Sequence, residues 1–204
     1  MEAHLLRKYF IMGSQNCDRD PIEILTEAVQ AGITAFQFRE KGPGSLAGLR
    51  KVVLGRQLRE ICYEYSIPFF VNDDLELAKV LGADGIHVGQ DDRFAEEVRA
   101  RFPDKIIGLS VSNSLELENS PLSAVDYLGA GPVFATGTKS DAKTPVGTKW
   151  ISQIRKQHPN FPLVGIGGIN TTNSNEVMEA GADGVAVISA ITKAKDIQAA
   201  VRSL

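Results

Sequence analysis

Cysteine and tryptophan are scarce in this sequence, with two of the first and one of the second among 204 residues. Cys17 and Cys62 lie far apart and match no metal-ligand spacing, so they indicate no zinc site. Two unpaired thiols fit the reducing cytoplasm, which is the expected compartment. A basic excess is missing as well. Lys and Arg total 22 against 25 for Asp and Glu, a formal charge of −3. Recognition of a phosphate backbone needs a basic surface, so nucleic acid is not an expected partner. No run approaches the roughly 18 apolar residues of a membrane span. The first residues, MEAHLLRKYFIMG, show no long apolar stretch and no small-residue cleavage site, so no secretory signal is expected. Linkers and low-complexity blocks are absent too. What remains is ordinary globular composition, 43% hydrophobic and 23% charged, and a single domain over 1–204 is expected.

The chain does contain a repeat. AGITAFQF (31–38), LGADGIHV (81–88), SAVDYLGA (123–130) and AGADGVAV (180–187) share one form. Each reads as a helix end, one or two polar residues, then a short apolar run, which is the joint between a helix and a doubly buried strand. Between them fall KYFIMG (8–13), PFFVN (68–72), KIIGLS (105–110) and PLVGIGG (162–168), short runs bounded by Pro, Gly or polar residues. Helical periodicity fills the intervals. Asp20 can cap a helix over Pro21–Ala31, with Pro21 at its first position. A longer helix over Leu46–Tyr65 carries Leu46, Leu49, Val53, Leu58, Ile61 and Cys62 as its apolar set. Further helices are expected near 74–81, 93–102, 150–158, 172–180 and 195–203, with a short one at 114–120.

Eight β/α units imply a parallel sheet with right-handed crossovers, and a closed (β/α)₈ barrel (a TIM barrel) is the simplest arrangement. Dividing 204 residues among eight units leaves about 25 each, a short-loop variant of that fold. The competing open sheet usually carries a Gly-rich nucleotide fingerprint after its first strand. Here that strand ends in Gly13-Ser14-Gln15-Asn16, which is not one.

Barrel chemistry collects just after the strands, at their C-terminal ends. There the chain places Arg39, Lys41 and Lys139, three cations from different loops, which read as a polyanion site. Asp73, Asp74, Asp91 and Asp92 follow two adjacent strands. A few hard oxygen ligands suit Mg²⁺, while Asp at a helix start is also a common cap. Both roles are expected, split within each pair. Gly165-Ile166-Gly167-Gly168 and Ser189 end the seventh and eighth strands, where barrel phosphate sites are often built. Thr136-Gly137-Thr138-Lys139 lies in a long loop at 131–149, and long loops in compact domains are commonly functional. Of the three histidines, His4, His87 and His158, only His87 sits on a strand, and it reads as a satisfied core residue. No Ser-His-Asp constellation has local support. Two anion sites imply two phosphorylated substrates or one bisphosphate.

Taken in order, Tyr9–Gly13, Gln37-Phe38-Arg39-Glu40-Lys41, Val71–Asp74, Gly85–Asp92, Thr136–Ala142 and Gly165–Ile169 closely resemble the thiamine-phosphate synthase family. The resemblance spans nearly the whole chain. It implies a (β/α)₈ barrel that joins a pyrimidine methyl diphosphate to a phosphorylated thiazole with Mg²⁺, one ion per site, releasing diphosphate by dissociative substitution. By motif it assigns the pyrimidine diphosphate to the run Gln37, Phe38, Arg39, Glu40 and Lys41, with Asn72, Ser110 and Lys139. Among these, Arg39, Lys41 and Lys139 would stabilise the leaving group. It makes Asp73 and Asp92 the metal ligands. It gives the thiazole phosphate to Thr136, Gly137, Thr138, Gly168, Ile188 and Ser189. Small-molecule substrates are thus the expected partners, with a homo-oligomer permitted. Ala135, where the family often has Pro, and Val111-Ser112-Asn113 depart from the pattern. A thiazole tautomerase or a non-catalytic thiazole-phosphate-binding barrel are the alternatives, and neither needs the retained diphosphate apparatus.

Overall fold

The structure is a computed structural model that describes residues 2–90, 95–138 and 143–204. Its strands are β1 (Lys8–Met12), β2 (Ala35–Phe38), β3 (Phe69–Asn72), β4 (Gly85–Val88), β5 (Ile106–Val111), β6 (Tyr127–Ala130), β7 (Leu163–Ile166) and β8 (Gly184–Val187). All neighbours pair in parallel, and β1 pairs with β8, so the sheet closes as the expected (β/α)₈ barrel. Among the described residues the helices are α1 (Pro21–Ala31), α2 (Gly48–Glu64), α3 (Leu75–Leu81), α4 (Ala95–Arg101), α5 (Ser114–Glu118), α6 (Thr148–Gln157), α7 (Ser174–Glu179), α8 (Ser189–Thr192) and α9 (Ile197–Arg202). No helix among the described residues is long and apolar enough to cross a membrane.

Alternation along each strand separates two cores. Outward residues such as Phe10, Phe36, Phe38, Phe69, Val71 and Leu128 meet the helices. Inward residues Tyr9, Ile11, Phe70, Tyr127, Val164 and Ala186 fill the barrel, and Leu6, from a 3-10 turn at Ala3–Leu6, packs with them. Room for the interior rings comes from neighbouring glycines. A Cβ on Gly108 would lie 2.1 Å from Tyr127 Cζ, and one on Gly85 2.3 Å from the Phe70 ring.

The four-fold repeat has a structural cause at the opposite end of the barrel from the strand C-termini. Its polar residues are Thr34, Asp84, Asp126 and Asp183, each just before an even-numbered strand. Each accepts a backbone N–H of the preceding odd-numbered strand: Lys8 (2.9 Å), Phe69 (2.8 Å), Ile107 (2.7 Å) and Leu163 (2.8 Å) respectively. Arg59, Arg99 and Arg155 then pair with the three aspartates. The repeat therefore satisfies strand-start donors that no ladder reaches.

One expectation is corrected. In α2, Leu49 is 78% exposed and Val53 47%. Leu58 and Cys62 of the expected set do face the barrel, and Leu54 extends their stripe at i, i+4 spacing, with Gly55 beside it. Gly55 sets the register, because a Cβ there would come 2.6 Å from Leu81 Cδ1 and 3.0 Å from the Phe38 ring. The helix begins at Gly48 rather than Leu46.

Candidate active site

A cavity of about 280 Å³ opens at the C-terminal ends of the strands. Its floor is set by the last inward residues of short strands. On β3 to β6 these are Asn72, His87, Ser110 and Gly129, and all four line it.

On one side stand Arg39, Lys41 and Asp73. Lys41 Nζ donates to Asp73 Oδ2 at 2.6 Å. Asp73 has left-handed φ of 58° and its N–H bonds the His87 carbonyl at 3.0 Å. Asp74 faces another way: it caps α3, accepting from Leu77 N at 3.0 Å and from Lys51 Nζ at 2.9 Å. Burial pushes the Asp74 carboxyl up, but Lys51 and the helix N–H groups outweigh it and hold it below the usual range. The capping role expected within this pair therefore falls to Asp74.

Across the cavity stand Thr136, Thr138, Gly168, Ile188 and Ser189. Thr138 Oγ1 donates to Ser189 Oγ at 3.4 Å, tying the loop after β6 to the start of α8. The loop after β7 runs against the loop after β6, with Val133 and Phe134 N–H bonding Ile166 and Gly167 carbonyls at 2.8 and 2.9 Å. Gly168 has φ of 66°, and a Cβ there would lie 2.6 Å from the Ala135 carbonyl oxygen. Only glycine fits that position.

Several residues of the assigned run do not reach the cavity wall. Gln37 is buried beneath the floor and donates through Nε2 to the Tyr9 hydroxyl at 2.8 Å. Phe38 is one residue out of phase with Gln37, so its ring faces the helices, 6.4 Å from that of Phe69, and a side-chain contact to substrate does not hold. Glu40 braces the loops instead, accepting from Ser14 N, Ser14 Oγ and Leu46 N at 2.8, 2.6 and 2.6 Å. Gly137 lines a neighbouring, more open hollow with Gln15, Thr138 and Lys193. Lys139, Asp91 and Asp92 lie outside the described residues.

The departing segment Val111-Ser112-Asn113 has a local explanation. Asn113 caps α5 by accepting from Glu116 N at 2.9 Å, and Glu116 accepts in return from Asn113 Nδ2 at 2.7 Å and from Ser112 N, the residue before the cap, at 2.8 Å. Glu116 also accepts from Lys143 at 2.8 Å, which anchors the far end of the 131–149 loop. Burial raises the Glu116 carboxyl, and these donors together bring it below its ordinary value.

Sequence reading missed the chain of polar groups under the cavity. Tyr9 and Tyr127 hydroxyls share a bond of 2.9 Å, and His87 joins Tyr127 through Nδ1 at 2.9 Å and Ser110 through Nε2 at 2.8 Å. His87 is a satisfied core histidine, as expected, and it also lines the cavity. Inward phase on β1, β4 and β6 was the available signal.

The donor set bears on a metal. Among the described residues no group of three or more His, Cys, Asp or Glu could hold an ion. One carboxylate at the wall, Asp73, fits a hard cation that keeps most of its shell as waters or other oxygen ligands. It does not fit a closed zinc cage.

Comparison with known proteins agrees with this geometry. A family model described as thiamine monophosphate synthase matches residues 8–191. The thiamine-phosphate synthase of Oceanobacillus iheyensis is 62% identical over 203 residues, covering 100% of this chain and 98% of that protein. A Bacillus cereus thiamine-phosphate synthase is 52% identical, covering 99% and 92%. A solved thiamine phosphate pyrophosphorylase from Pyrococcus furiosus superposes with a TM-score of 0.84 at 35% identity, covering 99% of this chain and 95% of that one. With strand order, cavity and motifs in agreement, the chain belongs to the thiamine monophosphate synthase family, enzymes of thiamine biosynthesis.

Proposed function

We propose that this chain condenses 4-amino-2-methyl-5-(diphosphooxymethyl)pyrimidine with 4-methyl-5-(2-phosphooxyethyl)thiazole, giving thiamine phosphate and diphosphate. The observation that supports this most is one cavity with two walls of different chemistry, each suited to a phosphate. Arg39, Lys41 and Asp73 form one, and Thr136, Thr138, Gly168 and Ser189 the other. The pyrimidine diphosphate goes to the first wall and the thiazole phosphate to the second, so the reacting carbon and nitrogen meet between them.

The C–O bond to diphosphate breaks as negative charge builds on the leaving group. Arg39, Lys41 and Lys139 stabilise that charge where it develops. Asp73, with Asp92, would hold Mg²⁺, which supplies further positive charge to the diphosphate. The thiazole nitrogen attacks with its own lone pair and needs no base. The second wall therefore contributes by positioning.

Cytoplasmic residence is part of the same reading. Both thiols are free, and burial pushes Cys17 up to about 11 and Cys62 up to about 12, so neither is a poised redox group.

The test is diphosphate release from purified protein with both substrates and Mg²⁺, repeated with each omitted. Release that needs all three, with thiamine phosphate formed, is the expected result. Thiazole phosphate binding without release would overturn it in favour of a tautomerase or a binding barrel. Lys139→Ala and Asp92→Ala should each lower kcat by ~10²-fold or more, and near-normal rates for both would remove them from the assignment.

A further inference from the structure

The polar chain under the cavity runs Gln37, Tyr9, Tyr127, His87, Ser110, with successive separations of 2.8, 2.9, 2.9 and 2.8 Å. Its members come from five strands, β2, β1, β6, β4 and β5. Tyr9 and Tyr127 are fully buried, and burial raises both phenols well above ordinary tyrosine, so both carry their protons. Each hydroxyl has one hydrogen to donate.

Counting those hydrogens gives the chain a direction. The Gln37 amide nitrogen can only donate, so the Tyr9 oxygen accepts. Among the described residues Tyr9 has one other hydrogen-bond partner, so its hydrogen goes to Tyr127. Tyr127 then spends its own hydrogen on His87 Nδ1. Were Nδ1 protonated instead, the Tyr127 hydrogen would be left buried without an acceptor, a costly state. Nδ1 is therefore an acceptor, Nε2 carries the ring hydrogen, and Nε2 donates to Ser110 Oγ. Ser110 Oγ accepts from Nε2, so its own hydrogen is left to donate, and Ser110 lines the cavity.

We propose that Tyr9, Tyr127 and His87 are positioning residues, which fix Ser110 as a hydrogen-bond donor toward a ring-nitrogen acceptor on the substrate. The proposal rests on the condensation reading above for the identity of that substrate. On the aminopyrimidine, ring nitrogens accept and the exocyclic amino group donates. A fixed donor at Ser110 selects a ring nitrogen and turns the amino group elsewhere, so it sets which way round the pyrimidine lies. The glycines around the chain serve the same end. Gly108 leaves room for the Tyr127 ring, and a Cβ on Gly129 would press to 3.2 Å from His87 Cε1.

The direct test is the tautomer of His87, read by ¹⁵N NMR on the ligand-free full-length protein at pH 8, with Tyr127→Phe and Tyr9→Phe as variants. Hydrogen on Nε2 in the parent, with an Nδ1-protonated population appearing in Tyr127→Phe, is expected. In turnover, Tyr127→Phe should raise KM for the pyrimidine diphosphate about tenfold while KM for the thiazole phosphate stays within about twofold. Ser110→Ala should show the same one-sided change. Hydrogen on Nδ1 in the parent would mean the Gln37 amide is turned over and the chain runs backward, which overturns the proposal. Equal rises in both KM values would also overturn it, as the mark of a structural role. If Tyr127→Phe does not fold, Tyr9→Phe removes the hydrogen that feeds Tyr127 and is read the same way. The tautomer is measured without substrate, so absence of turnover would count against the condensation reading and leave this result standing.

Discussion

Replacing Gly168 by alanine tests whether the second wall binds anion through a backbone that cannot tolerate a side chain. Gly82 is the internal control. Its φ is 59°, against 66° at Gly168, but a Cβ at Gly82 meets nothing within 4 Å. Gly82→Ala therefore carries only the left-handed backbone cost, about 1 kcal/mol. For a chain of this size that lowers Tm by about 2–4 °C. Gly168→Ala carries the same cost and adds contacts of 2.6 Å to the Ala135 carbonyl oxygen and 2.8 Å to Phe134. Those partners include backbone, held by the Phe134-to-Gly167 hydrogen bond of 2.9 Å, so the loop must shift. Overpacking of this kind adds about 1–3 kcal/mol, and the Tm fall should be at least twice that of Gly82→Ala. The shift moves the wall formed by Thr136, Gly168 and Ser189. Titration calorimetry should show thiazole phosphate binding weakened about tenfold or more, with pyrimidine diphosphate binding within about twofold of the parent. Gly82→Ala should leave both affinities alone. If the two variants match in stability and in thiazole phosphate affinity, the close packing of the two loops does not shape this site.

Other outcomes follow from the same geometry. Asp126→Ala removes the acceptor of Ile107 N–H and the partner of Arg99, and should cost about 2–3 kcal/mol in denaturant melts with kcat/KM unchanged, since this ring lies at the far end from the cavity. Lys41→Met should lower kcat by about 10²-fold or more and leave thiazole phosphate binding unaltered by calorimetry. Because the thiol of Cys17 is raised to about 11, chiefly by burial, its thiolate is scarce at neutral pH. A thiolate-alkylating label such as iodoacetamide should react slowly at pH 7 and faster as pH climbs toward 11, read by mass spectrometry. Cys62, fully buried and raised to about 12, should label only on unfolding.

What could be read in the chain, and what could not, divides by range of interaction. The helix expected over Pro21–Ala31 is the helix observed, because its signals are local: Asp20 accepts from Ile22 N at 2.8 Å and Gly32 takes the left-handed cap. The short helix expected at 114–120 is observed as Ser114–Glu118, again on a local signal, the Asn113 cap. On α2, Leu58 and Cys62 were placed correctly and Leu49 and Val53 were not, because apolar residues sit on two stripes and the choice between them is made by Phe38 and Leu81 from other elements. The four residues of α8 carry no side-chain cap and no periodic pattern long enough to read. At the site, residues just after strands were legible from position alone, which is why Arg39, Lys41, Asp73, Thr136, Thr138 and Ser189 all line one cavity. Strands of only four residues explain the misplacements. With so few, one inward side chain reaches the mouth and its predecessor by two lies in the layer below. On β3 the mouth position is Asn72 and the buried one Phe70, whereas the β2 residue paired with Phe70 is Gln37. Gln37 thus sits one layer lower than its motif suggests. There a polar side chain has no water to turn to and must find partners on other strands. Tyr9 lies 28 positions from Gln37 and 118 from Tyr127, separations that no local pattern encodes. The barrel brings them together because closure of β8 on β1 leaves the interior shared by every strand, so a polar residue buried from one must be satisfied by another.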